Sequence, residues 1–127
     1  MQENHLFEYA VIRVVPRVER EEFLNVGVIV YCKRPAFLQT MYTLSEQKLL
    51  TLFPGVDIAE IKSHLEAFEQ ISKGESKDSP IAALDIASRF RWLTAKRSTV
   101  VQTSAVHSGL CKNPEETVAH LHEQLVA

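Results

Sequence analysis

The longest uninterrupted apolar run is Val26 to Tyr31, VGVIVY, in which four of six side chains are β-branched. It is too short for an isolated helix, and both alternating faces are apolar, so the pattern predicts a strand covered on two sides. Asn25 and Gly27 at its start are residue types that tolerate unusual backbone angles, and a glycine inside a strand lets a second segment approach closely. A bulge or tight bend is expected there. Period two puts Asn25, Gly27, Ile29 and Tyr31 on one face and Val26, Val28, Val30 and Cys32 on the other.

Two further strands flank this one. Residues 7–15, FEYAVIRVV, stop at Pro16, whose missing amide proton ends ladder pairing. Arg13 projects from the row of Tyr9, Val11 and Val15, and its charge must reach the rim or find an anion. The connection at 16–25 carries five charges in ten residues and has room for a short helical turn. After the turn KRPA at 33–36, FLQTMYTL at 37–44 predicts a third strand, which completes an antiparallel meander.

The second half changes to helical spacing. Ser45 caps EQKLLTLF, a short helix ended by Pro54 and Gly55. Asp57 with Glu60 reads as a capping box for a longer helix, whose Ile58, Ile61, Leu65 and Phe68 form one stripe. The stretch 72–79, SKGESKDS, has no apolar side chain and is expected to be a mobile loop. Ser79 and Pro80 open a third helix in which Leu84, Ile86 or Ala87, Phe90 and Leu93 face inward. STVVQT at 98–103 follows as a fourth strand and VHSGLCKN as a loop. Asn113, Pro114 and Glu116 then start a closing helix carrying Val118, Leu121 and Leu125. The order βββ-ααα-β-α predicts one α+β domain over residues 1–127, an antiparallel four-stranded sheet with helices packed on one face. Placing the fourth strand beside the first would bring the two ends of the molecule together.

Composition narrows the function classes. With 14 basic and 16 acidic residues the net charge is -2, which gives no general attraction to nucleic acid or to anionic membranes. Two cysteines, Cys32 and Cys111, make no disulfide framework, and no run approaches the ~20 apolar residues of a membrane span. The N-terminus lacks the basic start and cleavage site of a signal peptide. These features predict a cytoplasmic protein, alone or as a simple homo-oligomer.

Candidate chemistry collects in two distant polar segments. If the fourth strand pairs near the first, Arg97, Ser98, Ser104 and His107 meet Arg13, Glu22 and Asn25 at one rim of the sheet. Arginine forks with hydroxyl and amide donors suit phosphate or carboxylate. The competing reading is structural: Glu21 or Glu22 neutralises an arginine and the cluster is an internal clamp on the long connection. A zinc site built on His107, Cys111, His120 and His122 fails, because His120 and His122 diverge on a helix and no fourth ligand stands out. Ser104 and His107 are the available nucleophile and base, with Glu22 to orient the histidine, but no nucleophile elbow surrounds Ser104. The glycines are scattered, and no cofactor motif is present. Arg89, Arg91, Lys96 and Arg97 beside Phe90 and Trp92 suit nucleic acid, but the acidic whole favours a solvated helix end.

Two stretches carry a family resemblance. Glu22, Phe23, Asn25, Val26 and Gly27 form an E-F-x-N-V-G segment, and Arg97 to Ser104 form R-S-T-x-x-Q-T-S, with His107 and Gly109 following. In these and along nearly the whole chain the sequence resembles the bacterial family classed as domain of unknown function 3037. That resemblance implies no activity. It does imply a partner, a kinase-like protein of the toxin–antitoxin type encoded beside such chains. Two expectations follow: a non-enzymatic module that binds a protein or an anionic group, or a small hydrolase or transferase acting on a phosphate-bearing or acyl substrate with His107 as base.

Overall fold

A computed structural model describes residues 4–75 and 78–126. Among these residues three long strands form the expected meander: β1 (His5–Val14), β2 (Leu24–Cys32) and β3 (Phe37–Tyr42). β4 (Val101–Thr103) and β5 (His107–Cys111) both pair with the free side of β1, and every pairing is antiparallel. The order across the sheet is thus β3-β2-β1, with β4 and β5 in file along the far edge. The antiparallel α+β architecture is the expected one, with the fourth strand beside the first.

β5 lies where a loop was expected. Its His, Ser and Gly residues have little strand propensity, but the backbone is held by β1 from His5 to Tyr9. The glycine fits its place: a Cβ on Gly109 would lie 3.0 Å from the Phe7 ring.

The helices are α1 (Glu46–Leu52), α2 (Ile58–Lys73), α3 (Ile86–Leu93) and α4 (Pro114–Leu125). Ser45, Asp57 and Asn113 each accept a first-turn amide proton, as their positions in the sequence predict. The third helix is divided. Ser79 and Pro80 begin a single 3-10 turn, Pro80–Ala83, and α3 starts afresh after Asp85, so Leu84 is exposed instead of inward. Part of the stretch read as a mobile loop is α2, which runs to Lys73 and ends at Gly74 in the left-handed region; residues 76 and 77 lie outside the described residues.

Helices cover both faces, not one. α1, α2 and α3 place Leu49, Ile61, Leu65, Phe90 and Leu93 against Ala10, Ile12, Ile29 and Tyr31. α4 packs Val118, Leu121 and Leu125 on Phe7, Val28, Val30 and Cys32. Its apolar stripe needs a surface, and because β2 is apolar on both sides it supplies one on each. All seven residues from Val26 to Cys32 are buried.

The expected bulge is present and changes the faces. Ile12 opposes Gly27 but Arg13 opposes Asn25, so Val26 has no partner on β1, and its carbonyl accepts from the Thr43 amide at 2.8 Å. A one-residue slip reverses the side-chain phase. Val26 therefore packs with Ile29 and Tyr31, while Asn25 turns to the α4 side, where its Nδ2 donates to the Leu125 carbonyl at 3.4 Å. This is opposite to the strict period-two expectation for both residues. It puts Asn25 beside Arg13.

Candidate functional site

A cleft of about 570 Å³ opens at the end of the sheet where β1 leaves and β2 enters. Arg13 reaches it from β1, Glu21 and Phe23 from the connection, and Lys96, Arg97 and Ser98 from the segment between α3 and β4. Two pairings bring these distant segments together: Arg13 opposes Gln102, and the Val15 amide donates to the Val100 carbonyl at 2.7 Å. Val15 and Val18 give the cleft apolar wall.

The two arginines are held differently. The Arg13 guanidinium lies 4.0 Å above the centre of the Phe23 ring, and its Nε is buried without a hydrogen-bond partner. Among the described residues Arg13 makes no ion pair. Arg97 lies 4.1 Å over Trp92 and donates to the Trp92 carbonyl. The stacking fixes the plane of each guanidinium and leaves it charged. Among the described residues Glu21 is the one carboxylate on the wall, and it adopts a left-handed backbone, φ 57°, that closes the 3-10 turn Val18–Arg20.

Of the residues expected to form an anion site, Arg13, Arg97 and Ser98 line this cleft and Asn25 is the cross-strand neighbour of Arg13. The Asn25 Oδ1 is also buried without a partner among the described residues. Glu22 stands apart. It pairs with Arg20 and borders a second cleft of about 390 Å³ with Arg17, Phe53 and Ile61. Both members of that ion pair are more than half exposed, so it contributes at most about 1 kcal/mol and does not clamp Arg13. Arg17 pairs likewise with Glu19, whose carboxyl is held below its ordinary value by a backbone hydrogen bond and then by Arg17.

Ser104 and His107 are also elsewhere. β4 and β5 are separated by three residues, and Ser104 fills that break: its amide donates to the Val11 carbonyl at 2.8 Å, and its Oγ accepts from the Val11 amide at 2.9 Å. The hydroxyl donates in turn to the Ala105 carbonyl, so it mends the ladder. Replacing Ser104 with alanine would strand a buried donor and should cost about 1–3 kcal/mol. Thermal unfolding of Ser104→Ala measures this; an unchanged melting temperature would remove the serine's role. His107 opposes Tyr9, with ring centres 5.4 Å apart, four residues and roughly 13 Å along β1 from Arg13. The nucleophile and base pair is not assembled. Burial pushes the Cys32 thiol above its ordinary pKa, which keeps it protonated.

The sequence alone does not single out Phe23, Lys96 or Gln102 for the site. Phe23 is part of the E-F-x-N segment, and Lys96 belongs to the basic helix end. That group disperses: Arg91 pairs with Glu8 at 2.6 Å, and Arg89 donates to the Leu84 carbonyl at 2.8 Å. The register of β4 alone brings in Gln102. Among the described residues, no three His, Cys, Asp or Glu side chains are placed to hold a metal, and no helix is long and apolar enough to cross a membrane.

Both sequence segments singled out earlier meet at this cleft, and the family described as Protein of unknown function (DUF3037) matches residues 9–126. The chain belongs to that family. No curated protein and no solved structure matches it. The matched region takes in β2, α4 and every residue that lines the cleft.

Proposed function

We propose that this DUF3037 chain is a non-catalytic binding domain whose Arg13 cleft takes an anionic group presented by a partner. The observation that carries the reading is Arg13 itself: a charged side chain rooted in the sheet that lines the cleft and that, among the described residues, has no carboxylate paired to it and no acceptor for its Nε. A guanidinium that borders a cleft and carries no ion pair keeps its charge for an incoming anionic oxygen. Lys96 and Arg97 add charge at the same opening. A hydrolase reading with His107 as base draws no support from the geometry, since Ser104 is spent on the ladder and His107 leans on Tyr9.

The partner we favour is the kinase-like protein that the family resemblance implies. Trp92 is the chain's single tryptophan, and Arg97 lies against it, so a ligand that draws Arg97 away should change its emission. Titration with small phosphates and carboxylates should produce a saturable change that Arg13→Gln weakens about tenfold or more. Equal affinity in that variant would sink the reading. Co-purification on tagged protein should retain the partner, and Arg13→Gln should release it.

A further inference from the structure

The composition of the cleft goes further than its charge. We infer that its ligand is a phosphate monoester in preference to a carboxylate, an inference that rests on the anion-binding reading above. Three cations, Arg13, Lys96 and Arg97, face one carboxylate, Glu21, so the wall carries an excess of two positive charges. A carboxylate cancels half of that excess. A phosphate monoester carries between 1.5 and 2 negative charges near pH 7 and cancels nearly all of it.

Donor number points the same way. The cations come from two separate segments that line a cavity of about 570 Å³, one on the sheet and two on the 96–98 segment, and Ser98 lines it too. A planar carboxylate offers two oxygens on one side of a carbon. A phosphate offers three in a tetrahedral spread, which suits donors supplied by two separate segments. Val15, Val18 and the half-exposed Phe23 supply an apolar flank against which the organic part of an ester can rest.

The test compares phenyl phosphate, phenyl sulfate and benzoate by calorimetry on the whole chain. At pH 7.5 phenyl phosphate should bind about tenfold more tightly than either monoanion. Its second ionisation lies near pH 6, so at pH 5 most of that preference should vanish. Phenyl sulfate stays a monoanion throughout and corrects for changes in the protein's own charge; His64 and Arg97 both line an adjoining hollow. Lys96→Ala, at an exposed position, and Arg97→Ala, at a half-buried one, should each reduce the preference without unfolding the chain. Adenosine monophosphate and a phosphoserine peptide separate the sources: whichever exceeds phenyl phosphate identifies a nucleotide or a phosphorylated protein. Equal binding of benzoate and phenyl phosphate at pH 7.5 overturns the phosphate inference and leaves the anion site standing. Failure of all three probes overturns both.

Discussion

Replacing Gly27 with alanine is expected to destabilise the protein by about 3 kcal/mol or more, a large part of the 5–15 kcal/mol that holds a domain of this kind together. A Cβ at that position would lie 2.6 Å from the Tyr42 Cβ and 2.7 Å from the Met41 carbonyl oxygen. Neither atom can rotate away, because both are fixed to the β3 backbone. Relief requires β2 and β3 to separate locally, and the bond from the Thr43 amide to the Val26 carbonyl lies at that point. Melting should fall by about 10 °C or more. Gly55 is the control. Its φ is 86° and no atom lies within 4 Å of an added Cβ, so Gly55→Ala bears the backbone penalty alone, about 1 kcal/mol. Similar losses for the two substitutions would refute close approach as the reason for glycine at 27.

The same residue shows how far the sequence could be read. Asn25 followed by Gly27 announced a bulge, and the apolar run announced a strand covered on both faces; both are local properties of the chain. Which way Asn25 points after the bulge is not local. It depends on whether Val26 is counted in the ladder, and only pairing with β1 decides that. The caps at Ser45, Asp57 and Asn113 were legible because the side chain and the amide it serves are three residues or fewer apart. β5 was not legible, since nothing in His-Ser-Gly-Leu-Cys favours a strand until β1 offers its free edge.

Site residues divide along the same line. Arg13, Arg97 and Ser98 could be joined on paper by supposing that the fourth strand lies beside the first. Ser104 and His107 were drawn in by the same supposition and by their chemical reputation. The register takes each of them away, one into the ladder and one toward the other end of β1. Phe23 and Gln102 have no charge to draw attention to them. One becomes visible through its stacking with Arg13 and the other through its place opposite Arg13.

Phe90→Ala should also be severe, with a loss of about 3–5 kcal/mol in chemical denaturation at unchanged m-value. Phe90 is the largest of the fully buried side chains, and its ring stacks on Tyr31 with centres 5.2 Å apart. Its removal leaves a cavity between α3 and the sheet that backbone pairing on β2 prevents from closing. α3 has eight residues, too few to be helical in isolation, so Phe90 and Leu93 are what keep it folded. The segment that carries Lys96, Arg97 and Ser98 follows directly, and it is anchored at one end by α3 and at the other by β4. Loosening α3 should therefore weaken anion binding although Phe90 is absent from the cleft wall. Hydrogen exchange should quicken at residues 90–95 before it does in β1 and β2. Phe90→Leu, which keeps most of the volume, should recover most of both losses. An alanine variant that loses less than about 1.5 kcal/mol and binds anions normally would show that the sheet, and not α3, holds the 96–98 segment in place.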